Sequence, residues 1–214
     1  MTAKSTKNKE EACRCNMVRK NVILDDGFQY CYYQCSNCSR SEYDPGQVQK
    51  LINYAKNNRY MFISDWILAW LYIGDDAPVS GIIRLQKQMF IILYEFAQTN
   101  NIPSENPGFR AYKFGPYTET IDRNIMALTE IGLVETRGKI NTNSERFFLT
   151  ELGKIAGKEA LEKLTQQQIM ELNKLRRDLQ QFDSMGIMTY IYSNYPEFTK
   201  ESVVFERTLH RRRK

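Results

Sequence analysis

A mainly α protein with small β elements is what the sequence predicts, and three observations predict it. All five cysteines of the 214 residues fall between Cys13 and Cys38. From Phe62 onward apolar residues recur at helical spacing, and two strand-like runs, Leu133–Thr136 and Arg146–Leu149, flank a polar loop from Arg137 to Glu145. Hydrophobic residues at 42% and charged residues at 26% match ordinary globular usage, so a buried core is feasible. The longest apolar stretches are broken by Asp65, Arg84, Lys87 or Glu95, well short of the ~18 residues that suggest a membrane span. No apolar leader follows Met1, so a cytoplasmic chain is expected, where thiols stay reduced and the cysteines need an explanation other than disulfides.

Residues 1–11 read as a flexible polar lead and residues 12–45 as a ribbon. Met17–Leu24 and Phe28–Tyr33 are strand-like, and Asp25-Asp26-Gly27 supplies the turn of a hairpin with thiols at its ends. Such a piece is too small to build a core, and a tetrahedral zinc bound by four thiolates would hold it together. Cys13, Cys15, Cys35 and Cys38 are the expected ligands of one structural zinc per chain. The two-residue gap of Cys35 and Cys38 lets backbone amides fold around a metal-bound sulfur; Cys31 either replaces one ligand or packs behind the site. Four sulfurs leave no open position for water, which argues against zinc catalysis.

Residues 46–165 follow as a helical body. Ser41–Gln49 reads as a linker and Val48–Asn58 as a short helix. Phe62 to Ile73 is a helix burying Trp66 and Trp70; Ile82 to about Gln98 is a second, with Arg84, Lys87 and Gln88 on its other faces. Phe109–Phe114 looks extended and Gly115-Pro116 breaks it. Thr118–Ile131 is a third helix whose apolar face uses Ile121, Ile125, Leu128 and Ile131, stopped by Gly132. After the hairpin, Thr150 caps a helix over Glu151–Leu164 that buries Leu152, Ile155 and Leu161. Helices, hairpin, then another helix is the order of a winged helix-turn-helix.

Residues 166–214 form C-terminal helices and a basic tail. Gln166 to Asp183 carries a narrow stripe of Ile169, Leu172, Leu175 and Leu179, which either seals the domain or pairs with a second copy in a homodimer. Met185–Tyr195 is a further helix, and Thr199 or Ser202 begins a last one. Lys200–Lys214 holds six basic and two acidic residues, leaving 24 basic and 23 acidic in the rest of the chain. The body is therefore nearly neutral, and electrostatic attraction to DNA must come from local patches and the tail.

Leu128-Thr129-Glu130-Ile131-Gly132-Leu133-Val134, followed by Phe148-Leu149-Thr150-Glu151-Leu152-Gly153, resembles the third-helix and wing signature of MarR and PadR type regulators. Arg84-Leu85-Gln86-Lys87, Phe114-Gly115-Pro116-Tyr117 and Tyr192–Thr199 resemble the YwgA-like proteins and, more distantly, the Panacea (SocA-like) antitoxin domain. The ribbon resembles the YgiT/MqsA-type zinc finger, departing from it with Cys13-x-Cys15 in place of Cys-x-x-Cys. These resemblances imply gene regulation or antitoxin-like neutralisation of a partner, and they supply no reaction.

Double-stranded DNA is the expected partner, a protein the alternative. Arg84, Lys87, Arg110, Lys113, Arg123, Arg137, Lys139 and Arg146 are the candidate phosphate contacts. Against them, the third helix sets Glu119, Asp122 and Glu130 beside Arg123 alone, a balance that suits a protein partner as well. The lone histidine, His210, lies in the tail, and no phosphate loop or activated nucleophile is recognisable, so no enzyme is expected.

Overall fold

The structure is a computed structural model that describes residues 14–24, 27–37, 41–74, 77–139, 142 and 144–204. Seven α-helices and two small antiparallel sheets are present among the described residues, a mixed α and β protein. The chain divides into two compact units, Met1–Asn57 and Asn58–Lys214.

In the first unit, β1 (Met17–Ile23) pairs with β2 (Gln29–Cys35), and β3 (Ser41–Glu42) adds to the other edge of β2. The Gly27 amide donates to the Leu24 carbonyl (2.9 Å) and tightens the turn; Asp25 and Asp26 lie outside the described residues. The register sets Met17 opposite Cys35 and Asn21 opposite Cys31. Side chains alternate across a strand, so Cys15, Cys31 and Cys35 share one face. Helix α1 (Pro45–Asn58) starts earlier than its apolar pattern, because proline suits the first helical turn and the Asp44 carboxylate accepts from the Gln47 amide (2.9 Å). The ring of Tyr54 stacks on Phe28, centroids 3.8 Å apart, and Gln47 Oε1 accepts from the Cys31 amide at the β2 edge.

The second unit is built on α2 (Ile63–Tyr72), whose seven buried side chains include both tryptophans. Burying each such large side chain contributes roughly 1.5–3 kcal/mol. Their indoles stay satisfied: Trp66 Nε1 donates to Ser104 Oγ (3.1 Å) and Trp70 Nε1 to Gln88 Oε1 (2.9 Å). Strand β4 (Val79–Ser80) leads into α3 (Ile82–Ile91), which runs on as a π-helical stretch over Ile92–Ala97. Helix α4 (Glu119–Glu130) is capped by Thr118, whose hydroxyl accepts from the Thr120 amide. The hairpin of β5 (Val134–Arg137) and β6 (Arg146–Leu149) takes β4 on its open edge, giving the order β4-β6-β5.

Helix α5 (Glu151–Leu161) is capped as expected, Thr150 Oγ1 accepting from the Gly153 amide (3.0 Å), yet its faces are reversed. The buried side is Gly153, Gly157, Ala160 and Leu161, with Gly153 against the Leu133 carbonyl and Gly157 against α2, while Leu152 is 64% and Ile155 58% exposed. A Cβ on Gly157 would stand 2.8 Å from the Tyr72 Cβ and 2.9 Å from the Leu68 carbonyl oxygen. The helices approach so closely that only glycine fits, which turns the larger neighbours outward. Ile131, expected in the core, is likewise exposed, because α4 ends one residue before it.

Helices α6 (Gln166–Gln180) and α7 (Ser184–Asn194) close the unit, with Leu172, Leu179, Ile187 and Ile191 in the core. The stripe on α6 thus faces inward. A 3₁₀ turn follows at Pro196–Thr199, and the last helix expected from Thr199 or Ser202 falls mostly on residues outside the described ones. The expected basic tail falls on residues 205–214, outside the described residues apart from Lys200–Val204.

Candidate functional site

Of the four expected zinc ligands, Cys13 and Cys38 lie outside the described residues, and among the described residues no group of three or more metal-binding side chains gathers. Cys15 and Cys35 are placed at the same end of the ribbon. The Ser36 amide donates to the Asn16 carbonyl (3.0 Å), so the strand carrying Cys15 runs alongside the turn that follows Cys35. Inside that turn the Asn37 amide donates to Cys35 Sγ at 3.4 Å. An amide aimed at a sulfur two residues back stabilises thiolate charge, and this donor set suits a thiolate-bound metal. Cys31 lies four residues along β2 from Cys35, about 13 Å at strand rise, too far for both sulfurs to reach one ion. Its sulfur instead accepts from the Arg19 guanidinium at 3.4 Å, which holds the Arg19 pKa above its ordinary value.

The expected phosphate contacts separate into two groups. Lys87 is only 3% exposed, and its ammonium donates to the Pro116 carbonyl (2.7 Å). Arg84 is half-buried, donates to the Leu179 carbonyl (2.9 Å), and is pulled below its ordinary pKa by burial, with Asp183 opposing. Both thus spend a donor on a carbonyl of the chain itself. Arg110, Lys113, Arg123, Arg137 and Lys139 are exposed. Arg110 pairs with Glu119 (3.1 Å), and Arg137 pairs with Glu135 (2.9 Å) while its guanidinium lies 4.6 Å from the centroid of the Phe148 ring. Arg146, half-buried, donates to the Glu145 carbonyl at 2.8 Å. Exposed pairs of this kind exchange partners readily.

Three consecutive polar side chains on α3, Gln86, Lys87 and Gln88, are buried. Each has a specific duty. Gln86 holds the Thr118 backbone from both sides, donating to its carbonyl (2.7 Å) and accepting from its amide (3.2 Å), and also donates to Asp122 Oδ1 (2.7 Å). Lys87 holds Pro116 and Gln88 holds Trp70. Phe109–Phe114, expected to be extended up to a break at Gly115-Pro116, instead enters a tight loop over 110–117 closed by paired bonds between Arg110 and Tyr117 and between Tyr112 and Gly115. Gly115 sits at φ +85°, and a Cβ there would stand 2.8 Å from the Tyr192 ring. Periodicity cannot reveal this clamp, because a lysine at a core position counts as a break in the apolar pattern. The signal was available only in the pairing of Arg84–Lys87 with Phe114–Tyr117.

Beside the clamp lies a cavity of about 430 Å³, floored by Lys87 and Met188, with Ile83 and Phe114 at its mouth. Tyr117 donates to Asp122 Oδ2 (2.7 Å) along its wall, and burial lifts the Tyr117 phenol to about 12, the Asp122 carboxylate adding to the effect. A second, more open groove between α4 and the hairpin is lined by Ile125, Met126, Thr129, Glu130, Thr136 and Phe147. Met126 is 61% exposed in the middle of the outer face of α4.

No helix among the described residues is long and apolar enough to cross a membrane. No protein-family profile matches the chain, and no curated protein or solved structure matches it.

Proposed function

We propose that this chain is a non-catalytic, nucleic-acid-binding regulator: a winged helix that meets double-stranded DNA through α4 and the β5–β6 hairpin, preceded by a ribbon held by one structural zinc. The observation that carries the reading is topological. Helix α2, strand β4, helices α3 and α4, then β5 and β6, with sheet order β4-β6-β5, follow one another as in a winged helix-turn-helix. In that arrangement α4 is the helix offered to the major groove and the hairpin tip the wing. Arg123 on α4, Lys139 and Arg137 on the wing, and Arg110 and Lys113 in the preceding loop are the exposed cations available for phosphates. Zinc would be held by Cys13, Cys15, Cys35 and Cys38, and the amide bond onto Cys35 supports a thiolate there. The zinc would supply cross-linking of the ribbon and no chemistry.

A second reading has its own support. The outer face of α4 carries Glu119, Met126 and Glu130, and the adjoining groove is apolar with an acidic edge. An exposed methionine at the centre of a helix face suits a protein partner, as in an antitoxin-like or adaptor protein, better than a phosphate backbone.

Binding of the full chain to a mixed-sequence duplex, followed by fluorescence anisotropy, separates the two. Arg123→Ala combined with Lys139→Ala should weaken binding about tenfold or more at low salt if both grip phosphates, whereas Met126→Ala should change it little. Unchanged binding in the double variant, or loss in Met126→Ala alone, moves the assignment to a protein surface.

A further inference from the structure

The cavity beside the clamp has a polarity that the proposed regulator does not use. Its acids are already engaged: Asp122 accepts from Gln86 Nε2 and from the Tyr117 hydroxyl, both at 2.7 Å, and Glu145 accepts from the Ile82 amide at 3.2 Å. Its cations meet only carbonyls, apart from the Asp183 charge that acts on Arg84. The Lys87 ammonium has three N–H groups and donates to one acceptor, the Pro116 carbonyl; no carboxylate lies within ion-pairing distance among the described residues. An ammonium buried to this degree with two donors unanswered is costly unless something else answers them. Arg84 stands at the same wall with one carbonyl partner, Leu179. The rest of the lining is mostly apolar, with Ile83 and Phe114 on one part and Met185 and Met188 of α7 on another, and with Ser80, Tyr112, Thr142 and Ser184 as its polar members.

We propose that this cavity binds a small monocarboxylate with an apolar body, its carboxylate accepting from Lys87 and its hydrocarbon portion lying against Met185 and Met188. A volume of about 430 Å³ is in the range of small-molecule sites. The missing partner must be an acceptor, because every acid in the wall already serves a protein donor. A single negative charge fits better than a phosphate, whose two charges would be stripped of water against mostly apolar walls with one ammonium at the floor and an Arg84 already held by the Leu179 carbonyl and the Asp183 charge. Burial pulls Lys87 down to about 7, so an anion seated on it also restores the charged form. The walls come from α3, the loop before α4, α4 itself, the loop joining β5 to β6 and α7, so an occupant would touch both the helix offered to a partner and the C-terminal helices. The site stands whether or not the chain binds DNA.

The test uses the full chain with ¹³C-methyl methionine, titrated with octanoate and benzoate and, in parallel, with octanamide and benzamide. Methyl signals are assigned through Met185→Leu and Met188→Leu. The expected result is saturable shifts of the Met185 and Met188 methyls, with the acids binding about tenfold or more tightly than their amides, and loss of that preference in Lys87→Met. Equal affinity for acid and amide, shifts confined to methionines away from the cavity, or no saturable shift with any of the four compounds would overturn the proposal. If Lys87→Met does not fold, the acid-against-amide comparison on the unaltered chain decides alone.

Discussion

Lys87 shows how a single side chain can be misplaced by pattern and placed by bonding. As a charged residue within an apolar repeat it reads as surface, yet it sits between Gln86 and Gln88 in a buried polar run that holds the turn before α4. Burial lowers its pKa to about 7 from an ordinary 10.5, with the Asp122 charge opposing. In the unfolded chain the amine keeps its proton up to about 10.5, so between these values the unfolded state binds the extra proton. Stability contributed by this group therefore rises with pH across that window, by up to about 1.4 kcal/mol per pH unit, and is flat below it. Urea denaturation of the chain and of Lys87→Met should show the unaltered chain gaining on the variant between pH 7 and pH 9. A gap that stays constant over that range contradicts the burial.

At the scale of the element, α5 is the instructive case. Its cap at Thr150 and its extent were legible, because capping chemistry and apolar spacing are local properties. Its orientation was not. Leu152 and Ile155 make the more hydrophobic face, but Gly157 permits a close approach to the backbone of α2 and Gly153 to the Leu133 carbonyl, and the dispersion gained in that close packing turns the larger side chains outward. Leu161→Ala should accordingly cost about 2–4 kcal/mol in chemical denaturation and Leu152→Ala under about 0.5 kcal/mol. The reverse order would restore the face expected from spacing. Strand β4 escaped notice for another reason: two residues, Val79 and Ser80, carry no periodicity, and their pairing with Arg146 and Phe147 is entirely long-range. The hairpin, the tryptophan helix and the apolar stripe of α6 were readable because each repeats its pattern over several turns or residues, although the stripe alone left open whether it seals the domain or pairs with a second copy. Of the site, the thiol pairs at the ribbon end were visible as spacing, whereas the Gln86–Lys87–Gln88 clamp and its cavity exist only after three distant segments meet.

Across the whole molecule, the two compact units assign separate origins of stability. The unit of residues 58–214 has a continuous apolar core, while the ribbon and α1 bury few side chains, Cys31, Cys35, Tyr54 and Ala55 among them. A structural zinc would supply what that small core lacks. Purified under reducing conditions, the full chain should carry about one zinc, and chelation should raise hydrogen exchange in β1 and β2 while leaving α2 to α7 unchanged. Metal-free protein with a protected ribbon would refute the ligand assignment. Charge is the other property of the whole chain: with a nearly neutral body, any duplex binding must come from a few exposed cations and the basic tail. Their count is read directly by the salt dependence of affinity for a mixed-sequence duplex. Log affinity should fall linearly with log salt, with a slope of about −3 to −5, as expected for three to five released counterions. Affinity independent of salt, or no binding at low salt, would contradict the nucleic-acid reading and leave the apolar groove along α4 as the working surface of the protein.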